Sequence, residues 1–196
     1  MRCRLKDTHI SNPLNIVIVE AVHSGSQLIT AAEGRSITEI GGICMDFEAK
    51  LKKMGITLPD PAKPWEAYLP AVRDGNFVYT SGQIPLVQGQ LKFQGKVGKD
   101  LPLEEGYEAA KICAINCFAA IKSVVGSLDH VEQVIKVVGF VNSAPGFVDQ
   151  SKVITGASEL VDEIFGCSGQ TDCSAVGVGE LPVNSAVEVE MIVKVK

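Results

Sequence analysis

The stretch Thr171-Asp172-Cys173-Ser174-Ala175-Val176-Gly177-Val178-Gly179-Glu180-Leu181-Pro182-Val183-Asn184-Ser185-Ala186-Val187-Glu188-Val189-Glu190-Met191-Ile192-Val193 decides how the rest of the chain is read. It divides into two strand-like runs at the corner Leu181-Pro182. The second run alternates strictly, with Val187, Val189, Met191 and Val193 on one face and Glu188, Glu190, Ile192 and Lys194 on the other. A period of two with apolar, β-branched residues on one side is the pattern of a strand with one buried face. Taken as a hairpin-like pair, the runs carry Cys173 and Glu188 at their outer ends. This predicts a thiol and a carboxylate side by side at one edge of a sheet, and places the expected chemistry there.

Working outward, the segment before this stretch is helical. Residues 147–165 set Phe147, Ile154, Ala157, Val161 and Ile164 on one stripe, interrupted by Gly156. Glycine inside a helix weakens it unless packing requires it. Residues 134–141 are nearly all apolar, which predicts a central strand buried on both faces. The longest helical signal covers residues 103–125. Ala110, Ala114, Cys117, Phe118, Ile121 and Val124 share a stripe with Tyr107, and Gly126 stops the run. Further upstream, Tyr68-Leu69-Pro70-Ala71-Val72 and Phe77-Val78-Tyr79-Thr80-Ser81-Gly82 flank an Asp74-Gly75 turn, a hairpin signature. Residues 90–93 form a candidate short strand. Residues 45–55 form a short amphipathic helix with Phe47, Leu51 and Met54 on one face and Glu48 and Lys52 spaced to pair. A connector with Pro59, Pro61 and Pro64 follows it. The order helix-β-β-(β)-α-β-α-β-β predicts an α+β fold, a mixed sheet with two main helices on one face.

Composition narrows the function. The 196 residues are 46% apolar and carry a net charge of −5. That balance excludes nonspecific nucleic-acid binding, which needs clustered Lys and Arg. Mean hydropathy is slightly positive, but no apolar run reaches the ~20 residues of a membrane span. The only arginines are Arg2, Arg4, Arg35 and Arg73. Six irregularly spaced cysteines, Cys3, Cys44, Cys113, Cys117, Cys167 and Cys173, do not form a disulfide framework. Free thiols point to a reducing, cytoplasmic compartment. Cys113 and Cys117 share a helix face as small core residues, with no His or Cys cluster to complete a metal site. No cofactor is implied.

Residues 1–44 differ from the rest, holding three of the four arginines and two of the three histidines. Their apolar run at residues 15–22 is broken by Glu20, unlike a secretory signal. They are taken as an N-terminal extension of unknown role, with residues 45–196 as the domain.

Several of these runs occur together in a known order. Tyr68-Leu69-Pro70-Ala71-Val72, Val78-Tyr79-Thr80-Ser81-Gly82-Gln83-Ile84-Pro85, Ser174-Ala175-Val176-Gly177-Val178, Leu181-Pro182 and Val187-Glu188-Val189-Glu190 resemble the RidA family, also called YjgF-like or endoribonuclease L-PSP, over about residues 45–196. The lead-in helix and Gly139-Phe140-Val141-Asn142-Ser143-Ala144-Pro145-Gly146-Phe147 resemble its YjgF-like, chorismate mutase-like subfamily. The resemblance implies a chorismate mutase-like fold, a homotrimer, and clefts between subunits that take a small carboxylate or imine ligand. The implied activity is hydrolysis of enamine or imine intermediates, 2-imino acids above all, to keto acids and ammonia. The alternatives are a non-catalytic ligand-binding or regulatory homotrimer and, more remotely, an endoribonuclease.

By the same resemblance, Tyr68, Ser81, Gly82 and Ser174 line the cleft and Glu188 orients the attacking water. The arginine that grips the substrate carboxylate in the family falls fifteen residues before the glutamate, where this chain has Cys173. Ser151 stands nearest to the family's cleft asparagine, and Ala175 replaces its usual cysteine. A guanidinium gives two parallel charge-assisted hydrogen bonds to a carboxylate; a neutral thiol gives neither charge nor fork. Arg73 is the remaining arginine of the domain that could stand in. A nucleophilic role for Cys173 needs a lowered thiol pKa and a base, and an adjacent glutamate acts against the first.

Overall fold

The computed structural model describes residues 46–60 and 69–196. Residues 1–44 and Tyr68 therefore lie outside the described residues, as does most of the Pro-rich connector. The lead-in helix α1 spans Phe47–Lys53, and Asp46 caps it by accepting a hydrogen bond from the Ala49 N–H (2.7 Å). Its buried Phe47 ring packs on Phe165, which in turn meets Phe118 edge-on. Glu48 does not pair with Lys52. It bonds Lys122 at 2.7 Å, and Ser127 also donates to it, so its carboxyl is held below the ordinary range, chiefly by Lys122.

The hairpin β1 (Ala71–Asp74) and β2 (Phe77–Thr80) is tighter than expected. Asp74 pairs with Phe77, leaving a two-residue loop with Gly75 at φ +56°. A left-handed residue there matches the twist of the strands. A separate small hairpin pairs β3 (Leu86–Val87) with β4 (Gln90–Leu91). Helix α2 spans Leu103–Val125, with Glu104 and Glu105 in its first turn and Lys122 in its last, as the helix dipole favours. Strand β5 spans Val131–Asn142, helix α3 Gln150–Phe165, strand β6 Asp172–Val178 and strand β7 Val187–Val195. Helix α3 starts three residues later than the stripe suggests, because residues 147–149 run from the Pro145-Gly146 turn to the helix without helical structure.

The main sheet has the order β1-β2-β7-β5-β6. Strand β6 is parallel to β5, and the other neighbours are antiparallel. A parallel neighbour requires a crossover, and α3 supplies it. Helix α2 covers the face of β7 that carries Val187, Val189, Met191 and Val193, all buried, while α3 packs on β5 and β6. The alternation seen in the sequence is the observed burial pattern of β7. Strand β5 differs from expectation. Val134, Val137 and Val141 are buried, whereas Lys136, Val138 and Phe140 are half-buried. With the helices on one side only, its second face is left open within the chain.

Gly156 has a packing reason. A Cβ added there would lie 2.2 Å from the Tyr107 carbonyl oxygen of α2. The two helices cross backbone to backbone at this point, and neither can yield without moving the other. Gly156→Ala is expected to destabilise the protein by about 2–3 kcal/mol. A urea titration should show a lowered midpoint with an unchanged slope; a midpoint equal to wild type would refute the close crossing.

Candidate active site

Glu188 sits on β7 and faces the open side of the sheet. Its row reads Glu188–Phe140–Val176 across β7, β5 and β6. Its carboxylate lies over Gly82: a Cβ on that glycine would be 1.6 Å from Glu188 Oε1. Only a residue without a side chain admits the carboxylate here. The segment carrying Ser81 and Gly82 is pinned on both sides. The Ser81 hydroxyl donates to the Leu69 carbonyl (2.6 Å), and the Ser81 N–H to that of Pro70. Gln83, nearly buried, exchanges backbone hydrogen bonds with Val189 and donates from its side chain to the Ser81 carbonyl (3.0 Å). Buried Thr80 accepts from the Met191 N–H (2.9 Å). Gln83 and Thr80 therefore fix the Ser81-Gly82 segment to β7, a role with no sequence signal beyond their place beside Ser81 and Gly82.

Cys173 lies elsewhere. It pairs with Val137, and Val137 with Met191. Paired residues share a face, so Cys173 faces the helix side at the outer edge, while Glu188 faces the open side. The two are not neighbours within one chain. The reason is topological: β5 runs between β6 and β7, which therefore do not form a hairpin. Ser174 is on the open face, in the row Ser174–Val138–Glu190, roughly 10 Å from Glu190 across two strand spacings. Ser151 is exposed in the first turn of α3, and Ala175 packs against the core on the helix side.

The electrostatics are one-sided. Burial first, and then the Glu190 carboxylate, push the Glu188 carboxyl up from its ordinary value. Neither glutamate has a hydrogen-bond or ion-pair partner among the described residues. The nearby cations are engaged: Lys136 with Asp172 (3.2 Å), Lys194 with Glu132 (2.6 Å), and Lys96 with Glu180 (3.3 Å) and Asn142 (2.8 Å). Arg73 donates to the Gly75 and Lys196 carbonyls at the far end of the sheet. It pairs with Val78, which pairs with Val193, five residues or roughly 17 Å along β7 from Glu188. It cannot act beside Glu188 of its own chain.

The thiols divide into two kinds. Cys113 and Cys117 are fully buried and donate to the Val187 and Val189 carbonyls of β7. Burial drives the Cys113 pKa far up and that of Cys117 to about 12. Cys173 is exposed, yet local desolvation and then Asp172, rather than Glu188, raise its thiol. This is the opposite of an activated nucleophile. Among the described residues, no group of three His, Cys, Asp or Glu side chains is placed to hold a metal ion. No helix among them is long and apolar enough to cross a membrane. Two clefts of about 500 and 380 Å³ open on other parts of the surface, one between α1 and Lys122 and one beside Asn116, and neither includes Glu188.

Comparison with known proteins now bears on this arrangement. Residues 48–195 match the family described as "YjgF/chorismate mutase-like, putative endoribonuclease". The chain belongs to this family. Protein TCP17 of Trypanosoma cruzi is 39% identical over 147 residues, covering 74% of this chain and 92% of that protein. The crystal structure of Atu1372, a protein "with unknown function" from Agrobacterium tumefaciens, is 37% identical with a TM-score of 0.72. It covers 82% of this chain and 100% of that one. A "putative endoribonuclease" structure from Shewanella oneidensis is 32% identical with a TM-score of 0.74, covering 76% and 99%. The YjgF-like fold expected from the sequence is thus the fold observed.

Two measurements check the site electrostatics. The folded Glu188 carboxyl titrates above its unfolded value, so its stabilising contribution is complete below the unfolded value of 4.5 and is lost as pH rises through the folded value. Glu188→Gln is therefore expected to raise the melting temperature at pH 7.5, with the gain vanishing towards pH 4. A gain of equal size at both pH values would show another cause. Alkylation followed by peptide mass spectrometry should label Cys167 and Cys173 in the native protein and spare Cys113 and Cys117 until denaturant is added. The rate at Cys173 should still climb past the ordinary thiol value of 9.0.

Proposed function

We propose that this YjgF-like protein forms a homotrimer whose clefts, between one copy's β2–β7 face and the next copy's β6 edge, bind a small imine-related molecule. One observation carries the reading. Glu188 and the Cys173 position face opposite sides of the sheet, so a cleft that uses both must draw them from two copies. The uncovered face supports the same reading, with Val72, Phe77, Tyr79 and Val176 exposed on it. Exposed large apolar side chains such as these suit a contact with another copy.

In this cleft Glu188 orients a water molecule and takes its proton as the oxygen attacks the imine carbon. The proton passes to the nitrogen, the carbon–nitrogen bond breaks, and the products are a carbonyl compound and ammonia. Ser81, Gly82 and Ser174, together with Tyr68, border the ligand. A carbonyl product from a 2-imino acid is a 2-keto acid. With Cys173 at the arginine position, such carboxylate substrates lose two charge-assisted hydrogen bonds of ~1.5–3 kcal/mol each. Activity on them is accordingly weak. Endoribonuclease chemistry is disfavoured by the net charge of −5 and by the lack of a histidine pair, since His130 is the only histidine in residues 45–196. Residues 1–44 are an extension to this domain, and the free thiols suit a cytoplasmic setting.

A second reading, a trimer that binds ligand without turnover, is favoured by the same substitution. The experiment that separates the two is hydrolysis of freshly generated 2-iminobutanoate by wild type, Cys173→Arg and Glu188→Gln, alongside sedimentation of the full chain. Wild type should be slow, Cys173→Arg faster by about ten- to a hundredfold in kcat/KM, and Glu188→Gln inactive. Fast wild-type turnover unaffected by Cys173→Arg would defeat the proposed role of position 173. Thermal stabilisation by ligand without turnover in any variant would favour the binding reading, and a monomer in solution would remove the inter-subunit cleft.

A further inference from the structure

We infer that the ligand of this cleft carries a positive charge and no carboxylate: a primary ammonium, or the protonated imine of a simple aldehyde or ketone. The inference rests on the cleft proposed above and names the class of molecule it selects.

The open face carries an imbalance of charge. Glu188 and Glu190 alternate on β7 with their α-carbons roughly 7 Å apart. Both are half-buried, and neither has a partner among the described residues. Among the described residues, the cations flanking them are already committed. Lys136 and Lys194 hold Asp172 and Glu132. Lys96 is tied to Asn142, Glu180 and the Gly179 carbonyl. Arg73 closes the opposite end of the sheet. The β6 edge that a second copy would bring contributes the neutral Cys173 beside the acidic Asp172. Counted over the described residues, the two copies bring two carboxylates to the cleft and no free cation to balance them.

A carboxylate entering such a cleft meets like charge and no donor fork. A cation gains two acceptors, one of which, Glu188, lies directly over Gly82. Burial, and then the Glu190 carboxylate, raise its carboxyl pKa. The hydrolytic step remains balanced for such a ligand: R2C=NH2⁺ and H2O give R2C=O and NH4⁺. The positive charge enters on the iminium and leaves on ammonium, so Glu188 faces a cation throughout. Ser174, in the Glu190 row, offers a neutral hydroxyl in place of a charged clamp.

The test is calorimetric titration of the full chain at pH 7.5 with two small probes, propylammonium and 2-oxobutanoate. Propylammonium should bind at least about tenfold more tightly, as expected for one close charge contact near a protein surface. Glu188→Gln should remove most of that preference while keeping the wild-type circular dichroism spectrum, and Glu190→Gln should reduce it. Equal or tighter binding of 2-oxobutanoate, an unchanged preference in Glu188→Gln, or binding of neither probe overturns the inference. Its failure is separable from that of the hydrolytic reading. If no imine is hydrolysed but propylammonium is preferred, hydrolysis falls and the charge selection stands. If 2-iminobutanoate is hydrolysed faster than the iminium of propanal, hydrolysis stands and the charge selection falls.

Discussion

The buried side chain of Asn142 holds the structure's one demanding connection. From the end of β5 it donates to Asn184 Oδ1 and to the Ser185 carbonyl, both at 3.1 Å, and accepts from Lys96 Nζ at 2.8 Å. Its backbone N–H donates to the Ala186 carbonyl. These bonds seat the loop that leaves β6, passes over the end of β5 and enters β7 on the other side. The loop needs left-handed backbone at Val183 and Asn184, φ +51° and +57°. For a β-branched residue this is costly, and surrounding contacts must fix it. Gln94 donates to the Val183 carbonyl, and the Gly95 N–H to that of Asn184. Without this anchored crossing β7 would have no reason to lie between β2 and β5, and Glu188 would not meet Gly82.

Much of the fold was legible because its elements bury one face each. The alternation of β7, the stripe of α2 and the glycine stop at Gly126 translate directly into observed elements. What was not legible depended on distant partners. Glu48 has Lys52 at ideal helical spacing, yet Lys122 and Ser127 from other elements outcompete it. Adjacent strands usually pair, so β6 and β7 looked like a hairpin. Hydrogen bonds from distant residues, such as Asn142 to Asn184 42 positions away, seat the crossing over β5 instead. The apolar run of β5 suggested cover on both faces, but half of those residues look onto the open side.

The site shows the same division. The family motifs named Glu188 and Gly82 together, and the structure places the two in close contact. The orientation of Cys173 was not legible, since a side chain's face depends on its strand's register and neighbours. The separation of Cys173 from Glu188 makes the substitution at 173 a change to an edge, with little consequence for the core beneath Glu188. Thr80, Gln83, Cys113 and Cys117 form that core support, bonding β7 through Met191, Val189 and Val187. Such residues carry no catalytic signature, because what they contribute is position.

The place of β7 in the sheet also sets the order in which the molecule can be made. It is the last of these elements along the chain, yet it sits at the centre of the sheet. On a ribosome, the β1–β2 hairpin and the β5–α3–β6 unit emerge first, as two halves with facing, unfilled edges. Neither half can complete its ladder until β7 arrives between them, and Thr80 and Gln83 wait about 110 residues for their partners. Pairings of that span fold slowly and leave open edges exposed meanwhile. The same strand that carries the carboxylate is thus the closing piece of the fold, and a nascent chain is vulnerable to edge-to-edge association until it is in place.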